Sequence, residues 1–119
     1  MISVLWVALG GAIGAAARYG VSLAAARWFG AALPWGTLLV NLVGGFAMGL
    51  LIARTAPDDS VLRLGLGVGV LGGFTTFSAF SLETVRLLEQ QPAMAATYAL
   101  GSVVLCVGAC WAGLMLGRV

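Results

Sequence analysis

The sequence predicts an all-α membrane protein of four transmembrane helices, with the third a candidate for a helix broken mid-membrane. Two observations predict the membrane. Mean hydropathy is +1.08, and only 8% of the 119 residues are charged, against about 25% in soluble domains. So few charges could not cover a folded surface in water. A third observation gives the number of spans. Apolar runs of about 20 residues, the length that crosses a bilayer, recur four times between short connectors. None of those connectors could house a soluble catalytic domain, so residues 1–119 read as one transmembrane domain and not as an enzyme. The net charge of +2 is small and scattered, which argues against nucleic acid. A cleavable signal would explain the first run and none of the others.

The first span runs from Ser3 to Ala26 and is interrupted by Arg18. The second runs from Pro34 to Ala53, with proline suited to a first turn because the N–H it lacks would be unpaired there. The third runs from Leu62 to Leu88, with Asp58, Asp59 or Ser60 offered as its N-cap. The fourth runs from Ala93 to Leu116 behind Pro92. Glycines four apart mark faces for close helix contact in lipid: Gly10 and Gly14, Gly45 and Gly49, Gly65 with Gly69 and Gly73, Gly113 and Gly117. Cys106 and Cys110 lie one turn apart in an apolar run and read as packing residues, with neither a zinc site nor a disulfide favoured.

Arginine placement gives no single orientation. With four spans, Arg54, Arg63 and Arg118 fall on one side, and Arg18, Arg27 and Arg86 on or toward the other. Loop arginines normally fix topology. Either one or two of them dominate, or the chain inserts both ways, which would permit a dimer of opposed copies.

Residues 65–81 make a poor continuous helix, with glycines and hydroxyls near mid-span. Two readings stand. Gly72 and Gly73 let helices touch while Thr75, Thr76 and Ser78 bond back to their own carbonyls. Alternatively the backbone breaks around Gly72 to Thr76, which is tolerated only where protein buries it or it lines a polar cavity. The freed carbonyls would suit a small hard cation. Phe77 and Phe80 share a face, either as packing or as ring edges that meet an anion. Asn41 is the one amide in the second span, with Thr37 a turn before it. It must find a partner across helices or line a wet vestibule. Tyr98, Ser102 and Cys106 form one stripe on the fourth helix, with two hydroxyls along it. Arg18 either snorkels or attracts anions, and Glu83 either pairs with Arg86 or serves a site.

Together these motifs resemble the small fluoride channel family, the dual-topology exporters of bacterial and archaeal membranes. The resemblance covers essentially the whole chain. It rests on Gly10-Gly11, Gly14 and Arg18-Tyr19, on Thr37 to Asn41 with Gly44, and most specifically on Gly72-Gly73-Phe74-Thr75-Thr76-Phe77-Ser78-Ala79-Phe80. It implies an antiparallel homodimer in the cell inner membrane with two fluoride pores and a structural sodium ion held by the backbone carbonyls of Gly72 and Thr75. It implies pore roles for Asn41, Phe77, Phe80, Tyr98, Ser102 and Thr37, and assigns no firm role to Arg18 or Glu83. Cys106 stands where the family often has a hydroxyl, a stronger donor than a thiol, which puts an anion contact at this position in doubt. The expected function is passive fluoride export, aided by the membrane potential. The rivals are a small drug/proton antiporter, which needs a deep carboxylate and has only Glu83, and an assembly subunit, which would lack an ordered polar route.

Overall fold

The computed structural model describes residues 1–119. Four helical segments are long and apolar enough to cross a membrane: Ile2–Phe29, Trp35–Arg54, Ser60–Gln90 and Pro92–Arg118. The bundle is 46 Å along its longest axis, comparable with a bilayer including its headgroups, about 40–45 Å. The protein is multi-pass and all-α. Each helix extends one to three residues beyond the sequence-based limits, with one exception at the second. There Pro34 lies just outside, as the N-cap, and helix begins at Trp35. Asp59 caps the third span by accepting from the Leu62 N–H at 3.2 Å, and Pro92 occupies the first turn of the fourth helix.

Two seams of glycine hold the helices together. The first helix packs on the N-terminal half of the third span. A Cβ on Gly10 would collide with the carbonyl of Gly65, and one on Gly14 with the carbonyl of Val70. Gly69 approaches Gly10 Cα at 3.0 Å from its own would-be Cβ position. The second and fourth helices form the other seam. There a Cβ on Gly49 would strike the Cys110 carbonyl, and one on Gly113 the Phe46 carbonyl. Only glycine permits such approach, and it replaces the hydrophobic drive that lipid removes. Of the pairs read from sequence, Gly65 is the loosest, with its nearest neighbour, Trp6 Cβ, at 3.9 Å. Cys106 and Cys110 are free thiols on the second seam.

The third span has three textures. Ser60–Leu62 is a turn of α-helix, Arg63–Leu71 is wound as π-helix, and Gly72–Phe74 returns to α-helix. Thr75 (φ −82°, ψ 158°) and Thr76 (φ −152°, ψ 126°) are extended, and helix resumes over Phe77–Gln90. The break therefore exists, but it falls on the threonines. Gly72 and Gly73 stay helical, and Gly73 is used for contact: a Cβ there would lie 2.5 Å from the Gly11 carbonyl. β-branched residues favour extended backbone, and the partners described next stabilise that state.

Candidate anion pathway at the break in the third span

Extending two residues mid-span strips backbone groups of their helical partners. In lipid each such group must be satisfied by protein. Asn41 does this for Thr76. Its Nδ2 donates to the Thr76 carbonyl at 3.0 Å and its Oδ1 accepts the Thr76 N–H at 2.8 Å. The amide thus pairs with the extended residue as a neighbouring strand would. Of the two fates open to Asn41 in the sequence, the cross-helix partner is realised, and the residue also lines a cavity. The Thr76 hydroxyl caps the restarted helix, accepting from the Ala79 N–H at 3.2 Å. Thr75 bonds back to Leu71 through its hydroxyl, at 2.9 Å. The two readings of these residues are therefore both partly realised: the Thr75 hydroxyl bonds back, and the backbone breaks through Thr75 and Thr76.

Arg18 reaches the same place from the first helix. Its Nε donates to the Gly73 carbonyl at 3.0 Å. It is not free to snorkel, and no sequence signal identified its target. Two other arginines end helices in the same way. Arg54 Nε donates to Gly117 at 2.8 Å. Arg63 donates to the carbonyls of Ile52 and Thr55 at 3.3 and 2.8 Å. Cations at helix C-termini satisfy the last carbonyls and complement the macrodipole.

Between these groups lies a cavity of about 250 Å³, lined by Asn41, Thr75, Thr76, Phe77, Phe80, Ser102, Val103 and Cys106. Residues from the second helix, the broken span and the fourth helix meet there, as the sequence reading required. Ser102 is 6% exposed, and its hydroxyl has no hydrogen-bond partner. A buried, unbonded donor is costly unless a ligand or water uses it. Cys106 lines the cavity one turn further on. Phe77 is 77% exposed on the single chain. Its ring centroid is 5.5 Å from that of Phe80, and Phe80 is 5.4 Å from Tyr98, both tilted by about 40°. The three rings form a continuous wall leading away from the break.

That wall ends at Glu83. Thr37 donates to Glu83 Oε1 at 2.8 Å and Tyr98 to Oε2 at 3.0 Å. Both carboxylate oxygens are taken by these hydroxyls rather than by Arg86. Thr37 is 5% exposed and lies one turn from Asn41, so this triad follows directly on the break. Beyond it, Thr37, Glu83 and Arg86 line a second cavity of about 300 Å³ against the first connector, residues 30–34, and the first turn of the second helix. Sequence spacing could not show that Thr37 and Tyr98 share one acceptor, because the three residues come from three different segments.

The profile of CrcB-like protein, Camphor Resistance (CrcB), matches residues 5–114. The fluoride-specific ion channel FluC of Caulobacter sp. (strain K31) is 51% identical over 99% of this chain and 96% of its own length. The proteins of the same name from Magnetococcus marinus and Geobacter sulfurreducens are 51% and 46% identical, each over 98% of its own length. These matches span all four helices, the break and the residues around it, and the chain belongs to the CrcB-like family.

Proposed function

We propose that this protein is a fluoride-selective channel of the cell inner membrane that lets fluoride leave the cytoplasm passively. The single observation that carries the reading is the mid-membrane cavity with the buried, unpartnered Ser102 hydroxyl in its wall. The relatives named for fluoride point the same way. Fluoride is small and strongly hydrated, so a pore must replace much of its water. Ser102 supplies an O–H, Asn41 has one amide N–H beyond the one given to Thr76, and the Phe77 and Phe80 rings offer positive edges. All are neutral groups, so the ion is met without being trapped. At the triad, Thr37 and Tyr98 already donate to Glu83. A passing fluoride competes with that carboxylate for the same two hydroxyls, so their exchange between acceptors is the step we assign there. Both oxygens of Glu83, the carboxylate an antiporter would need, are engaged by the Thr37 and Tyr98 hydroxyls, which leaves the antiporter reading without a free carboxylate.

We further propose that two copies associate in opposite orientations. The three-against-three arginines and the exposed Phe77 ring support it. The donor set at the break fits a sodium ion. Gly73 and Thr76 carbonyls are taken by Arg18 and Asn41, while those of Gly72 and Thr75 receive no side-chain hydrogen bond. Gly72 is exposed and Thr75 half-buried. Gly72 and Thr75 would hold the ion, which when bound supplies positive charge to carbonyls that lipid cannot satisfy.

Purified protein in liposomes is expected to release fluoride down an outward gradient only when a potassium ionophore carries the counter-current, with chloride release far slower. Equal chloride release, or release without the ionophore, sinks the channel reading. Phe80→Ile is expected to cut fluoride flux at matched protein amount. A C-terminal tag labelled from one side only in intact cells would refute opposed insertion.

A further inference from the structure

We infer that Arg18 is a positioning residue for the carbonyl cation site, an inference that rests on the sodium reading above. Gly10, Gly14 and Arg18 lie on one face of the first helix, four residues apart. The two glycines bring that face onto the backbone of the third span, and Gly73 rests against Gly11 and Ala15. Arg18 therefore starts within a turn of the carbonyl it bonds, and its Nε–H reaches Gly73 O at 3.0 Å. Gly73 is a position that needs a pin. Without a side chain, the peptide planes on either side of it rotate more freely than at any other residue type. One of those planes carries the Gly72 carbonyl and the other carries the Gly73 carbonyl.

Asn41 fixes the break from the opposite end by holding both backbone groups of Thr76. The result is an alternation along the chain. Gly73 and Thr76 carbonyls are held by donors from two different helices, and the carbonyls of Gly72 and Thr75, each one residue earlier, are left for a cation. The arginine removes a competing acceptor and fixes the plane next to a ligating one. Its guanidinium is also a positive charge near the site, which by itself disfavours a second cation. Position and charge thus act with opposite signs, and a substitution separates them.

The test uses purified full-length protein, with bound sodium measured by elemental analysis and the melting temperature read in sodium chloride against N-methylglucamine chloride. Wild type is expected to retain sodium and to lose stability when it is withdrawn. In Arg18→Met, apparent sodium affinity is expected to fall by about fivefold or more, the equivalent of one lost hydrogen bond, although a positive charge has been removed. Arg18→Lys keeps the charge but loses the planar Nε–H donor, and a fall is expected there too. Higher sodium affinity in Arg18→Met, or unchanged affinity in Arg18→Lys, shows that only charge matters and overturns the positioning role. If Arg18→Met does not fold, the lysine variant alone decides. A wild type indifferent to sodium overturns the cation site and this role with it. A sodium-dependent wild type with variants that match it overturns this role alone.

Discussion

Both glycine seams lay one helix on the backbone of another, and both close on an arginine. Between the second and fourth helices, the contacts run from Gly45 to Gly117, and Arg54 then bonds the Gly117 carbonyl at the end of the fourth helix. Between the first helix and the third span, they run from Gly10 to Gly73, and Arg18 bonds the Gly73 carbonyl. The device is the same, yet the settings differ. Arg54 is exposed at a helix terminus, where water could replace it. Arg18 is half-buried at a terminus that lies mid-membrane, where nothing but protein can satisfy a carbonyl. The chain treats its break as a true helix end and finishes it as it finishes an outer one.

The largest expected effects come from breaking either seam. Gly14→Val and Gly49→Val each push a side chain into a backbone carbonyl, at a cost of about 1–3 kcal/mol or more from overpacking. Both should reduce recovery of monodisperse protein on size exclusion, but only Gly14→Val should also unseat Arg18 from the break. Equal recovery of both variants and wild type would remove the seams as the basis of packing.

Next in size is Asn41→Leu, which leaves the Thr76 N–H and carbonyl unpaired. At about 1–3 kcal/mol for each unsatisfied group, fluoride flux in liposomes should be nearly abolished and amide exchange at Thr76 should rise sharply. Protected exchange with normal flux would mean that the break does not depend on this amide.

Thr37→Val and Tyr98→Phe each remove one of two hydrogen bonds to Glu83. Flux should fall several-fold in each, with a double variant less affected than the product of the two, because they share one acceptor. Strict multiplicativity would show that they act independently. The smallest effect is expected for Arg54→Gln. An exposed helix-end charge contributes about 0.3–1 kcal/mol, so the melting temperature should drop by a few degrees with flux unchanged. A large loss of flux would erase the distinction between the two arginines.

Much of this architecture is legible in one dimension, and the illegible part has a common cause. Hydropathy places all four spans within three residues of their observed ends, because span length is set by bilayer thickness. The glycine spacing identifies both seams. Asn41, Phe77, Phe80 and Ser102 are legible as a group because polar or paired aromatic residues at mid-span need a reason. The break lies at the C-terminal end of the Gly72 to Thr76 stretch read from sequence, because Gly72 and Gly73 are helical and Gly73 is packed on Gly11. The carbonyls bonded by Arg18 and Arg54, and the two hydroxyls on Glu83, are partners 15 to 63 residues away in the chain. No local pattern encodes such distances.

The π-wound stretch over Arg63–Leu71 has a consequence for how this chain can vary in length. In α-helix each residue turns the chain by about 100°, and a π-turn accommodates an extra residue without changing what lies beyond it. Residues 63–71 join a fixed glycine contact at one end to Thr75 and Thr76 at the other. Deleting one residue there would let the segment rewind as α-helix with Thr75 and Thr76 still facing Asn41, and the strain would fall on the contacts of Gly65 and Gly69 with the first helix. A single-residue gap is therefore better absorbed between Arg63 and Leu71 than between Gly72 and Phe80, where no wound-out residue is in reserve and the pairing of Thr76 with Asn41 would be lost.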